Sequence, residues 1–80
     1  MTTLGNVELA VLRRIAESND AGHEPTSDAV AQALGVDPGR LDDGIRLLKA
    51  EGLLSGYTEG SATNWRLLRV TIPGRLALPR

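Results

Sequence analysis

The sequence predicts a mainly α domain, three helices followed by a small β-hairpin, and three observations carry that prediction. Apolar residues recur at helical spacing in three separate segments before residue 52. After Gly52 the pattern changes to two short runs of strand formers split by a turn-rich loop. Glycine and proline stand where one pattern stops and the next begins.

The first helix is expected over about residues 5–19. Val7, Val11 and Ile15 recur at i, i+4, i+8, with Leu4, Ala10, Leu12 and Ala16 beside them. Asn6 is the expected N-cap, Glu8 lies in the first turn, and Gly22 offers a left-handed terminus. His23-Glu24-Pro25 reads as a connector, because Pro25 disfavours helix at Glu24. A second helix is expected over 27–34, capped by Thr26 or Ser27, with Val30, Ala33 and Leu34 as its apolar stripe and Gly35 as its stop. Only Val36 separates that stop from Asp37-Pro38, a cap followed by a proline at the first helical position. The third helix, 38–51, carries Leu41, Ile45 and Leu48 on one face.

Strands are expected at about 53–58 and 64–71, joined by Glu59-Gly60-Ser61-Ala62-Thr63-Asn64. Apolar residues fall on both parities of the second strand, so its register stays open. In the tail, 72–80, Thr71 can cap a fourth short helix.

Eighty residues make one small domain, which buries only about 60% of the surface its unfolded chain exposes. Small scaffolds often rely on disulfides or a metal, but there is no cysteine, and His23 alone cannot build a zinc site. Helix packing or self-association is left to support the fold. No stretch approaches the ~18 apolar residues needed to span a membrane, and the N-terminus has neither a basic region nor an apolar signal core. A cytoplasmic protein is expected. No nucleophile, base and orienting group can be assembled from one histidine and serines confined to caps and turns, so neither an enzyme nor a cofactor is expected.

The net charge of −1 hides an asymmetry. Residues 1–39 carry Arg13 and Arg14 against six carboxylates, a balance of −4, whereas residues 40–80 carry seven cations against four acids, a balance of +3. Residues 60–80 contain four arginines and no acid, which is the strongest electrostatic sign of a nucleic-acid partner.

Two short helices joined by Gly35-Val36-Asp37 are a helix-turn-helix arrangement. Val30-Ala31-Gln32-Ala33-Leu34-Gly35-Val36-Asp37 resembles the "LAEALGVS" signature of winged-helix regulators, and Leu41, Ile45, Leu48 and Glu51-Gly52-Leu53-Leu54 resemble its continuation into the wing. Thr71-Ile72-Pro73-Gly74-Arg75 is similar to the "LTxxGR" close of MarR-like and PadR-like repressors. The resemblance covers about residues 6–78 and implies a winged helix-turn-helix, a three-helix core plus a two-stranded wing.

That resemblance places Pro38, Gly39, Arg40, Asp42, Asp43, Arg46 and Leu47 on the outward face of a recognition helix entering the major groove of double-stranded DNA. Arg40 would meet a base or phosphate, and Arg46 or Lys49 would grip backbone. Arg66 and Arg69, beside Ser61 and Asn64, would serve the wing. One module makes few phosphate contacts, so a homodimer is one expectation, with the first helix and the Leu76-Ala77-Leu78 tail as candidate surfaces, and a monomer is the alternative. Asp43 and Leu47 lie one turn apart where such repressors place basic or polar groups. With Asp42 they form a mixed acidic and apolar surface suited to a protein partner, so an interaction module with little DNA binding is the alternative. Trp65 is expected to be a packing residue rather than a base-stacking one.

Overall fold

A computed structural model describes residues 4–58 and 64–78 of the chain. The order of elements is α1 (Asn6–Asp20), α2 (Ser27–Leu34), α3 (Pro38–Ala50), β1 (Leu54–Tyr57), β2 (Arg66–Val70) and α4 (Ile72–Ala77). Val11, Leu12 and Ile15 of α1 meet Val30 and Ala31 of α2 and Leu41, Ile45 and Leu48 of α3. Leu54, Trp65, Leu68 and Val70 close this core from the hairpin side. No helix among the described residues is long and apolar enough to cross a membrane.

Local chemistry fixes where each helix starts. Thr26 accepts from the Ala29 amide at 3.2 Å, and Asp37 accepts from the Gly39 and Arg40 amides at 3.0 and 3.3 Å. Asn6 is not the cap of α1. It is the first helical residue, Gly5 holds the cap position, and no side chain there makes the capping bond. The Glu8 carboxylate instead reaches back to the Gly5 and Glu8 amides, the acidic half of a capping box. Gly35 and Gly52, at φ 66° and 76°, let α2 and α3 end in the left-handed conformation.

The hairpin explains why β2 looked apolar on both parities. The antiparallel pairs are Leu54 with Val70, Ser55 with Arg69, and Tyr57 with Arg66. Two steps on β1 therefore match three on β2, and the extra residue is a bulge at Leu67, whose φ is 53°. Trp65, Leu68 and Val70 consequently all turn inward, while Leu67 is half exposed.

The far edge of β2 is covered by the α1–α2 connection. The Leu68 amide donates to the Pro25 carbonyl at 3.1 Å, and the Ser27 amide donates to the Trp65 carbonyl at 2.9 Å. The Asn19 side chain continues the ladder, accepting from the Val70 amide at 2.9 Å and donating to the Leu68 carbonyl at 3.1 Å. One amide side chain thus does the work of an absent strand residue. At the other end, Thr71 accepts from the Gly74 amide and donates to the Gly52 carbonyl at 2.7 Å, capping α4 while tying it to the end of α3. A Cβ at Gly74 would collide with the Leu53 carbonyl oxygen, so only glycine permits this close approach.

Asn19→Ala leaves the Val70 amide without its partner at a buried position. It is expected to lower unfolding free energy by about 1–3 kcal/mol in urea denaturation, with an unchanged m-value. A loss below about 0.5 kcal/mol would mean that the Asn19 ladder is dispensable.

Candidate nucleic-acid interface

Trp65 joins the hairpin to both helices of the helix-turn-helix. It is only 5% exposed, yet it carries two polar groups that need partners. Its amide donates to the Ser27 hydroxyl at 2.8 Å, and its indole Nε1 donates to Asp42 Oδ1 at 2.8 Å. Over the ring lie two cations, the Arg46 guanidinium 5.4 Å and the Lys49 ammonium 4.9 Å from its centroid. Asp42 accepts from Arg46 Nε at 2.9 Å as well, so one carboxylate orients both the ring and a cation above it. Lys49 donates to the Gly56 carbonyl at 3.0 Å. Between Arg46, Lys49, Ala50 and Trp65 lies an open depression of about 350 Å³.

The opposite flank of α3 faces α1. Arg40 Nη2 pairs with Glu8 Oε1 at 2.8 Å, and the Glu8 side chain is only 8% exposed against 46% for Arg40. The Arg40 guanidinium, reinforced by the two backbone amides, holds the Glu8 carboxyl below the usual carboxylate range. Arg46 and then the Trp65 indole do the same for Asp42. Between the flanks runs the outward line of α3, where Gly39, Asp43 and Ala50 are exposed opposite the buried Leu41, Gly44, Ile45 and Leu48.

The sequence-predicted residues divide accordingly. Arg40, Arg46 and Lys49 are exposed on α3, but each also holds an intramolecular acceptor. Asp43 is exposed, with no hydrogen bond or ion pair among the described residues. Asp42 leaves the expected outward surface, because the Trp65 indole and Arg46 draw it to the wing side, and Leu47 is half-buried. Asp42 and Leu47 are thus each part-exposed beside the exposed Asp43. Asn64 is turned inward, its side-chain oxygen accepting from the Ser27 hydroxyl at 3.0 Å and the Asp28 amide at 3.1 Å. It completes the cap of α2 from a distance. Arg66 is exposed on the outer face of the hairpin. Arg69, also exposed, lines a depression with Asn19, Gly22, His23 and Glu24, away from α3. Ser61 lies outside the described residues.

Sequence reasoning passed over Glu8, Ser27, Asn19 and Asp42 as structural partners. Two of these left a signal. Glu8 stands at the third helical position, the capping-box spacing, and a packed tryptophan requires an acceptor for its N–H.

This architecture is a winged helix-turn-helix. Among solved structures, the crystal structure of MarR superimposes with a TM-score of 0.72 at 23% sequence identity, over 91% of this chain and 50% of that one. The chain thus spans about half the length of the MarR chain, and the likeness is one of fold. No protein-family model and no curated protein matches the sequence.

Glu8 and Asp42 are both more acidic folded than unfolded. Their contribution to stability is complete above the ordinary carboxylate range and is lost as pH falls through their lowered values. The thermal midpoint should therefore be level from pH 7 to about 5 and drop below about pH 4. The double variant Glu8→Gln/Asp42→Asn should start lower and fall less steeply with acid, which circular-dichroism melts across pH will check. An acid limb of unchanged steepness would contradict the assignment.

Proposed function

We propose that this chain is the DNA-binding domain of a transcription regulator, seating α3 in the major groove of double-stranded DNA with the hairpin alongside the adjacent backbone. The observation that carries the reading is the pair of cations held over Trp65, at the junction of α3 and the hairpin. Arg46 engages Asp42 through Nε, and Lys49 spends one donor on Gly56, so both retain donors for a phosphate. An exposed ion pair is worth at most about 1 kcal/mol, so a phosphate competes readily for these groups. Arg40 supplies a cation on the other flank, and Arg66 one on the hairpin. A homodimer belongs to this reading, because two copies double the number of phosphates neutralised.

A second reading keeps one observation in its favour. Asp43 is unpaired on the outward face with the half-buried Leu47 one turn on, a surface that a protein partner could cover instead.

Fluorescence anisotropy with a labelled mixed-sequence duplex tests the two. The DNA reading predicts a Kd of about 10⁻⁴ to 10⁻⁶ M at physiological salt, tightening steeply as salt falls. Arg46→Ala and Lys49→Ala should each weaken binding and reduce the log–log salt slope by about 1. No binding at low salt would overturn the DNA reading. If Leu47→Asp then abolished a protein complex untouched by the arginine changes, the second reading would hold.

A further inference from the structure

We infer that Asp43 is a base-reading residue, accepting a hydrogen bond from the 4-amino group of a cytosine, so that the recognised site carries an obligatory C·G pair beneath the middle of α3. The inference rests on the DNA reading above and adds to it the identity of one base.

The helix holds two aspartates and its cap a third, and two of the three are explained by the fold itself. Asp37 caps α3, and Asp42 serves Trp65 and Arg46. Asp43 bonds to no described residue. Arginines stand three residues to each side of it, Arg40 and Arg46, at the spacing where helical neighbours pair. Neither does so, since Arg40 turns to Glu8 on α1 and Arg46 to Asp42 on the hairpin side. The two cations are drawn off the outward line to opposite flanks, and a lone carboxylate is left between them.

That arrangement matches a major groove in cross-section. Phosphates line its two walls, where cations belong, and base edges form its floor. Gly39, one turn before Asp43, and Ala50, two turns after, are small enough for the helix to approach the floor closely. A carboxylate on that line can only accept. Guanine presents two acceptors there, thymine an acceptor and a methyl group, and adenine an amino group beside its N7 acceptor. Cytosine alone presents a donor with no acceptor on the same base, and so it is the base that an aspartate selects.

Selection from a randomised duplex library, followed by anisotropy on the selected site, tests this. The wild-type protein should recover sites with an invariant cytosine, and replacing that C·G pair by T·A should weaken binding about tenfold. Asp43→Ala should lose the discrimination at that one position while binding mixed-sequence DNA as well as or better than wild type, because a charge repelled by phosphates is gone. Asp43→Asn should move the preference toward adenine. Asp43 bonds to no described residue and sits on an exposed helix face, so neither variant should melt below the wild-type temperature, and Asp43→Ala should melt slightly above it. Recovered sites with no cytosine dependence, or a preference that persists in Asp43→Ala, would overturn the inference and leave the DNA reading standing. Failure of the wild type to retain any duplex at low salt would overturn both.

Discussion

The bond between the Trp65 indole and Asp42 is the contact on which the rest of this structure turns. Eighty residues and no cysteine leave a small core that must also hold a projecting hairpin in place. Trp65 meets that need by being apolar toward Leu68 and Val70 and polar at two atoms, one directed at α2 through Ser27 and one at α3 through Asp42. The cations above its ring, Arg46 and Lys49, are thereby fixed at the seam between helix and hairpin. Stability and the electrostatics of the outer surface are set by the same residue.

The second organising constraint is the bulge at Leu67. Without the extra residue, Trp65 and Leu68 would point to opposite faces of the hairpin, since strand side chains alternate. With it, both reach the core, and β2 bonds along its outer edge to Asn19, Pro25 and Ser27. The described strands are consequently bonded to the α1–α2 connection along β2 and to Lys49 of α3 along β1.

Much of this was legible in the sequence, and the reasons are local. Thr26, Asp37 and Thr71 announce helix starts because capping depends on a few adjacent atoms, and Gly35 and Gly52 announce stops for the same reason. The three-helix core with a hairpin follows from apolar spacing alone. What stayed hidden depends on residues far apart in the chain. Asn64 reads as a loop polar group and becomes a cap for α2, and Asn19 reads as the frayed end of a helix and becomes part of a sheet edge. Asp42 and Asp43 are identical neighbours in sequence, and only the position of Trp65, 23 residues from Asp42, separates one as a structural group and the other as a free one. At the candidate interface the sequence identified which cations lie on α3, and the fold decided which way each one turns.

Trp65 and Asp42 couple the hairpin to α3, and a double-mutant cycle measures that coupling. Trp65→Phe keeps an aromatic ring and removes the N–H, Asp42→Ala removes the acceptor, and unfolding free energies of the two single variants and the double variant give the coupling. The expected coupling energy is about 1 kcal/mol, with the second substitution costing much less in the background of the first. Costs that add to within about 0.3 kcal/mol would mean that the two side chains act independently, and the account would be wrong.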